Sequence, residues 1–280
     1  MATTWGDALR NVTMLTYQRR NMALISSAFE AFREQLDEHY DRRERLIKVN
    51  RDVSAASKKV IFLLQRILNE PSDDDRALSL RAATEARNKL AEVHAMLRRT
   101  AHELVGPDFW RYAHCISSGL QEYIEALSFV HYVEYGGLVS YERAQANLCD
   151  DTGHPLFPLP LSDYVLGICD LTGELMRLAI SSISKPNGFM KASQISLFVR
   201  GCKADFETLT PYVDDLHKKQ VVTTQSLRKV EEAAYAIAIR SSEYELSPSM
   251  LDHIVSQVTS EGAELLKEPD TSSRSEMPGK

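Results

Sequence analysis

Glycine and proline are scarce: 12 and 10 of 280 residues, about 8% where an average chain has about 12%. β-sandwiches and barrels spend these residues on their many turns, so an all-β architecture is excluded. Cysteine is sparse too. Cys115, Cys149, Cys169 and Cys202 lie far apart with no CxxC pair, which fits neither a disulfide framework nor a zinc site and suits a reduced intracellular protein. No run of about 18 uninterrupted apolar residues exists, so no membrane-spanning helix is expected. A basic excess is also missing. The net charge is −6 and the pI 5.8, the wrong sign for a freestanding nucleic-acid binder, which needs Lys and Arg for phosphates. P-loop, Rossmann and nucleophile-elbow patterns are absent, leaving nucleotide-cofactor and serine-hydrolase chemistry without support.

Helical periodicity is abundant. Apolar residues recur at helical spacing through Phe29, Phe32, Leu36, Tyr40, Leu46, Ile47, Val53, Val60, Leu64 and Ile67 with no Gly or Pro between them, which predicts one long helix. Glu70-Pro71-Ser72-Asp73 ends it. Further helices are expected over 75–104, from Asp108 (as cap) to Tyr135, over 141–148, from Ser162 (as cap) to Ser184, and over 192–209, 225–240 and 248–260. The expected fold is a single all-α domain, a bundle of long helices over 29–260. Residues 1–28, with Arg10, Arg19 and Arg20 against Asp7, read as an arm or short surface helix rather than a targeting peptide. The polar segment 261–280 reads as a disordered tail.

Charge is unevenly placed. Between Tyr112 and Met176 there is one basic residue, Arg143, against nine acids, while both flanks are near neutral. Two acid pairs in this stretch sit inside predicted helices: Glu122 with Glu125, and Asp170 with Glu174. Spacings of three and four place each pair on one helix face, about 5–6 Å apart at Cβ. Only Glu174 has a basic residue one turn away, Arg177. Like charges one turn apart destabilise a helix, and a divalent cation would remove that cost. Four carboxylates from two facing helices make an oxygen-only site suited to Mg²⁺ or Mn²⁺, which can offset charge on a phosphoryl transition state. The bland alternative is that these acids are solvated or capping residues. A di-iron centre is disfavoured, because it needs Glu-x-x-His where this chain has Glu122-Tyr123-Ile124-Glu125. Gly119, Gly167 and Gly173 are expected to let helices approach closely around the acids.

Other features read as structural. The cluster Arg42-Arg43-Glu44-Arg45 with Lys48 and Arg51 reads as a solvated helix face. Phe109, Trp110, Tyr112 and His114 read as core. Lys58-Lys59 suits either phosphate contact or a surface pair.

At the acid pairs the sequence resembles a known family. Gly119-Leu120-Gln121-Glu122-Tyr123-Ile124-Glu125-Ala126, Asp163-Tyr164-Val165-Leu166-Gly167 and Asp170-Leu171-Thr172-Gly173-Glu174-Leu175-Met176-Arg177 are similar to the translin/Trax family. So are Ser57-Lys58-Lys59-Val60-Ile61-Phe62-Leu63-Leu64 and Lys229-Val230-Glu231-Glu232-Ala233-Ala234-Tyr235. The likeness runs in order over about residues 29–260, and the full acid set favours the Trax (translin-associated factor X) branch over translin. The resemblance implies a seven-helix α bundle joined to translin in a hollow hetero-octamer, with no membrane role. It implies a Mg²⁺-dependent endoribonuclease acting on single-stranded RNA: nicked passenger strands of small interfering RNA and pre-tRNA fragments. Single-stranded DNA is a further possible ligand. The family's catalytic carboxylates fall on Glu122, Glu125, Asp170 and Glu174, with Mn²⁺ able to substitute. Lys58 and Lys59 are the candidate contacts to the nucleic-acid backbone. Cytoplasmic and nuclear residence is expected, although the arm lacks the dense Lys/Arg cluster of animal Trax and Ser241-Ser242 replaces a usual glycine. The alternative is a non-catalytic helical scaffold that stabilises translin and modulates its binding to RNA or DNA.

Overall fold

Uninterrupted by Gly or Pro after Gly6, the first helix runs from Thr3 to Leu68 (α1). It passes through residue 28 without a break, so the expected arm boundary is not marked by a helix end. In the computed structural model, which describes residues 3–72, 74–183, 185, 188–243, 249–251 and 253–257, six α-helices follow. They are α2 (Asp75–Thr100), α3 (Pro107–Tyr135), α4 (Tyr141–Ala146), α5 (Leu161–Ser182), α6 (Gly188–Leu209) and α7 (Leu216–Glu243), with a 3-10 turn at Ala101–Leu104 before α3. Residues 249–251 and 253–257 are also helical. The only β pairing among the described residues is an isolated bridge between Cys149 and Pro155. None of the described helices is long and apolar enough to cross a membrane. The proposed tail, 261–280, lies outside the described residues.

The ends of the helices follow local chemistry. Asp74 caps α2 by accepting from the backbone N–H of Arg76 and Ala77 at 2.9 and 3.0 Å, and Ser140 caps α4 through Arg143 N–H. Gly136, with φ +74°, closes α3 through its N–H to Tyr132 O at 2.8 Å. Two expected caps are corrected. Pro107 opens α3 after Gly106, and Asp108 accepts from Arg42 Nη1 at 2.6 Å instead of capping. Pro160 is the cap residue of α5, so Ser162 lies within the helix. Helix α7 begins nine residues before the expected start at Gln225. The β-branched run Val221-Val222-Thr223-Thr224 is a weak helix former, but Leu216 and Thr223 are buried in the bundle, and that burial overrides propensity.

Helices α3 and α5, the two most apolar, form the centre. α3 packs on α1, α2 and α5, and α5 packs on α6 and α7. The core begins on α1 only at Leu46; Met22, Ile25, Phe29, Phe32, Leu36 and Tyr40 form a stripe that this chain leaves exposed. Phe109 and Tyr112 are core, as expected, but Trp110 and His114 are exposed. Trp110 and His114 are four residues apart and so share one stripe of α3, which is turned away from the stripe that buries Phe109, Tyr112 and Ile116.

Candidate functional site

The four acids of the central helices meet where α3 crosses α5. One glycine permits that crossing, and a second lets α1 approach α3. A Cβ on Gly167 of α5 would lie 2.7 Å from Gln121 O and 2.8 Å from Ile124 Cβ of α3. On the other side of α3, a Cβ on Gly119 would lie 2.5 Å from Asn50 Oδ1 and 2.8 Å from Asn50 O of α1. Both glycines therefore hold helices at backbone distance. Gly173 does not: nothing lies within 4 Å of its Cβ position, so the third expected close approach is corrected.

Glu125 is the innermost acid, 7% exposed, and no donor among the described residues bonds its carboxylate. Burial pushes its pKa up to about 9, and the charges of Asp170, Glu122 and Glu174 add to the shift, while Lys219 opposes it. The pairing predicted from sequence thus becomes a four-membered cluster. Each of the other three acids has a cation. Lys58 Nζ of α1 lies 2.9 Å from Glu122 Oε1. Its pKa is raised by that hydrogen bond, then by the charges of Glu122, Glu125 and Asp170. Lys219 of α7 pairs with Asp170 and also lies 3.4 Å from Gln121 Oε1. Arg177 Nη2 is 3.4 Å from Glu174 Oε1, the local pairing expected from spacing.

Amides complete the wall. Gln65 of α1 donates from Nε2 to Glu174 Oε2 at 3.1 Å and to Glu174 O at 2.8 Å, while its buried Oε1 has no partner. Asp163, buried at the start of α5, accepts from Ser117 Oγ at 2.6 Å and Gln121 Nε2 at 2.9 Å, which orients Gln121 beside Lys219. Lys219, Gln65 and Gln121 are the residues that sequence reasoning missed. Each lies on a helix remote in sequence from the acid it touches, so no local spacing signals it. Lys59 is exposed and pairs with no carboxylate among the described residues.

The basic face Arg42–Arg45 is not simply solvated. Arg45 holds Glu103 with two hydrogen bonds of 2.6 and 3.0 Å, and Arg42 holds Asp108, fastening α1 to the start of α3.

The donor set fits a hard divalent cation: carboxylate oxygens from two helices, among them the buried Glu125 to which no described residue donates, and the Gln65 Oε1 amide oxygen, which has no hydrogen-bond partner among the described residues. Among the described residues no three acid, imidazole or thiol groups converge closely enough to hold an ion as they stand. Lys58 and Lys219 supply the positive charge at Glu122 and Asp170 instead.

An all-α bundle whose two innermost helices share a cluster of one buried and three half-buried carboxylates, flanked by lysines from two outer helices, defines the class. Its relatives follow. The translin family model matches residues 41–241. The chain is 35% identical over 242 residues to translin-associated protein X of Rattus norvegicus, covering 78% of this chain and 80% of that one. It is 31% identical over 228 residues to the Schizosaccharomyces pombe homolog of that protein, covering 78% and 90%. Human translin is more distant, at 24% over 229 residues, covering 81% and 99%. Among solved structures, apo-NeC3PO matches with a TM-score of 0.57 at 18% identity over 73% of this chain and 94% of that one. The AfC3PO–duplex RNA complex matches with a TM-score of 0.54 at 20% identity over 78% and 99%. The chain belongs to the translin family, and its similarity is greater to translin-associated protein X than to translin.

Proposed function

We propose that this chain is the catalytic subunit of a translin–Trax complex, a Mg²⁺-dependent endoribonuclease that cuts single-stranded RNA. One observation carries the reading: Glu125 is buried beside three other carboxylates, and no donor among the described residues bonds it. That arrangement costs folding energy and is sensible where a cation binds. Glu125 and Glu174 are the direct ligands, with Glu122 and Asp170 completing the shell or orienting water. Bound there, Mg²⁺ supplies positive charge to offset the phosphoryl transition state, and Mn²⁺ substitutes. The chain's own groups do the rest. Gln65 orients Glu174, and Asp163 orients Gln121. Lys58 and Lys219 are the ammonium groups at the mouth available to phosphate oxygens, whereas Lys59, one position round the helix, has a lesser claim.

The proposed substrates are passenger-strand fragments of small interfering RNA and pre-tRNA fragments, with single-stranded DNA as a further ligand, met in cytoplasm and nucleus. RNA as a ligand is supported by the structural neighbour that is a complex with duplex RNA. An obligate partner, translin in a hetero-octamer, is supported by the exposed apolar stripe of α1 from Met22 to Tyr40. Residues 29–260 form the proposed family domain. Replacing Glu125→Ala in a complex reconstituted with translin is expected to abolish Mg²⁺-dependent cleavage while assembly persists on size exclusion. Undiminished cleavage sinks the assignment.

The salt bridges of Lys58 and Lys219 favour a second reading, a non-catalytic scaffold whose acids are neutralised internally. Calorimetry with Mn²⁺ separates the two. A scaffold binds no ion that is lost on removing Glu125 and Glu174.

A further inference from the structure

Helix α1 contributes a third residue to the site wall between the two already described. Lys58, Phe62 and Gln65 stand at i, i+4 and i+7, one stripe of the helix. The outer two reach the cluster: Lys58 touches Glu122 and Gln65 touches Glu174. Phe62 therefore faces the same side, and helical side chains lean toward the N-terminal turn, which here is the turn of Lys58. Yet Phe62 is 68% exposed. Among the described residues it is the only large apolar side chain of α1 left exposed after Tyr40. Every other large apolar residue between Leu46 and Leu68 is buried or packed against the core.

An exposed ring beside an ammonium and a carboxylate cluster has the parts of a single-strand nucleic-acid platform, in which a base stacks on the aromatic face while cations meet the phosphate. We propose that Phe62 is the base-stacking residue of this site and makes it select unpaired nucleotides. This rests on the ribonuclease reading of the same cluster. A base within a duplex has both faces covered by its neighbours, so the ring offers it nothing. An unpaired base gains a stacking partner next to the phosphate that the acids address. Phe62 is thus a positioning residue: it holds substrate and takes no part in proton transfer.

The test uses the full chain assembled with translin. Phe62→Ala is expected to raise KM for single-stranded RNA by about 5- to 150-fold, the equivalent of the 1–3 kcal/mol that one stacked base contributes. kcat should change little, and Phe62→Trp should restore KM. The same substitutions are placed on a Glu125→Gln background, where RNA stays intact, and binding is followed by fluorescence anisotropy. There Phe62→Ala should weaken an unpaired oligoribonucleotide by the same factor, leave a blunt RNA duplex unaffected, and make no difference to a strand of abasic ribose phosphates. Equal loss for duplex and abasic strand, or no loss at all, overturns the proposal. Loss of assembly on sedimentation with Phe62→Ala also overturns it, because the ring is then a subunit contact. Absence of metal-dependent cleavage in the unsubstituted complex rejects the ribonuclease reading, while the anisotropy comparison still decides Phe62.

Discussion

Helix α1 brings cations to acids at two places, with opposite results. Near Arg42 and Arg45 the acids Glu103 and Asp108 each receive a guanidinium. About four turns further on, Lys58 meets a cluster of four carboxylates for which Lys219 and the more exposed Arg177 are the other nearby cations. At the first place Glu103 is held below its usual pKa, mainly by its hydrogen bonds from Arg45 and then by charge. At the second Glu125 is driven up to about 9 by burial and like charge. One arrangement fastens helices. The other leaves in the interior a carboxyl group that no donor among the described residues bonds, which a fastening has no use for.

The largest test of that contrast is pH. A carboxyl whose folded pKa lies above its unfolded value binds a proton on folding, so stability falls as pH rises between the unfolded value and the folded one. For Glu125 that window runs from about 4.5 to about 9, with a limiting slope of about 1.4 kcal/mol per pH unit. Urea melts in EDTA between pH 5 and 9 should show this slope in the native chain and a shallower one in Glu125→Gln. Equal slopes would mean that the buried acid is solvated after all.

A middle-sized effect is expected from Gly119→Ala, which lies on α3 between the two cation sites. The new methyl meets Asn50 of α1 at under 3 Å, and overpacking of that kind costs about 1–3 kcal/mol. Both the Arg42–Asp108 and the Lys58–Glu122 contacts should loosen together. A denaturation midpoint equal to that of the native chain contradicts the close crossing.

The smallest effect belongs to the fastening itself. Glu103→Gln should cost about 1–2 kcal/mol. Its pH dependence runs the other way: a carboxylate with a lowered folded pKa stabilises above its unfolded pKa, and that contribution is lost as pH falls through the folded value. The difference between native and variant should therefore vanish in acid and be full at pH 7. A difference that grows on acidification would break the comparison.

Much of the site was readable before any fold. A 65-residue stretch with nine acids and one arginine drew attention to Glu122, Glu125, Asp170 and Glu174, and helical spacing paired them. Spacing says nothing about which helices face each other, so it hides Lys219, the amides Gln65 and Gln121, and the pairing of Lys58 with Glu122. The same limit produced the errors at Trp110, His114 and Gly173. An apolar or small residue on a helix is core only if another element covers that side.

The sequence by itself determined the helices, because scarce Gly and Pro, apolar periodicity and local caps act within one or two turns. It also determined that negative charge would concentrate in the middle of the chain. Only the tertiary structure decided that Glu125 would be buried with no donor among the described residues while Lys58 and Lys219 take its neighbours, because desolvation and Coulomb energy depend on distances between helices far apart in the chain. Only the fold, likewise, left Phe62 uncovered beside them.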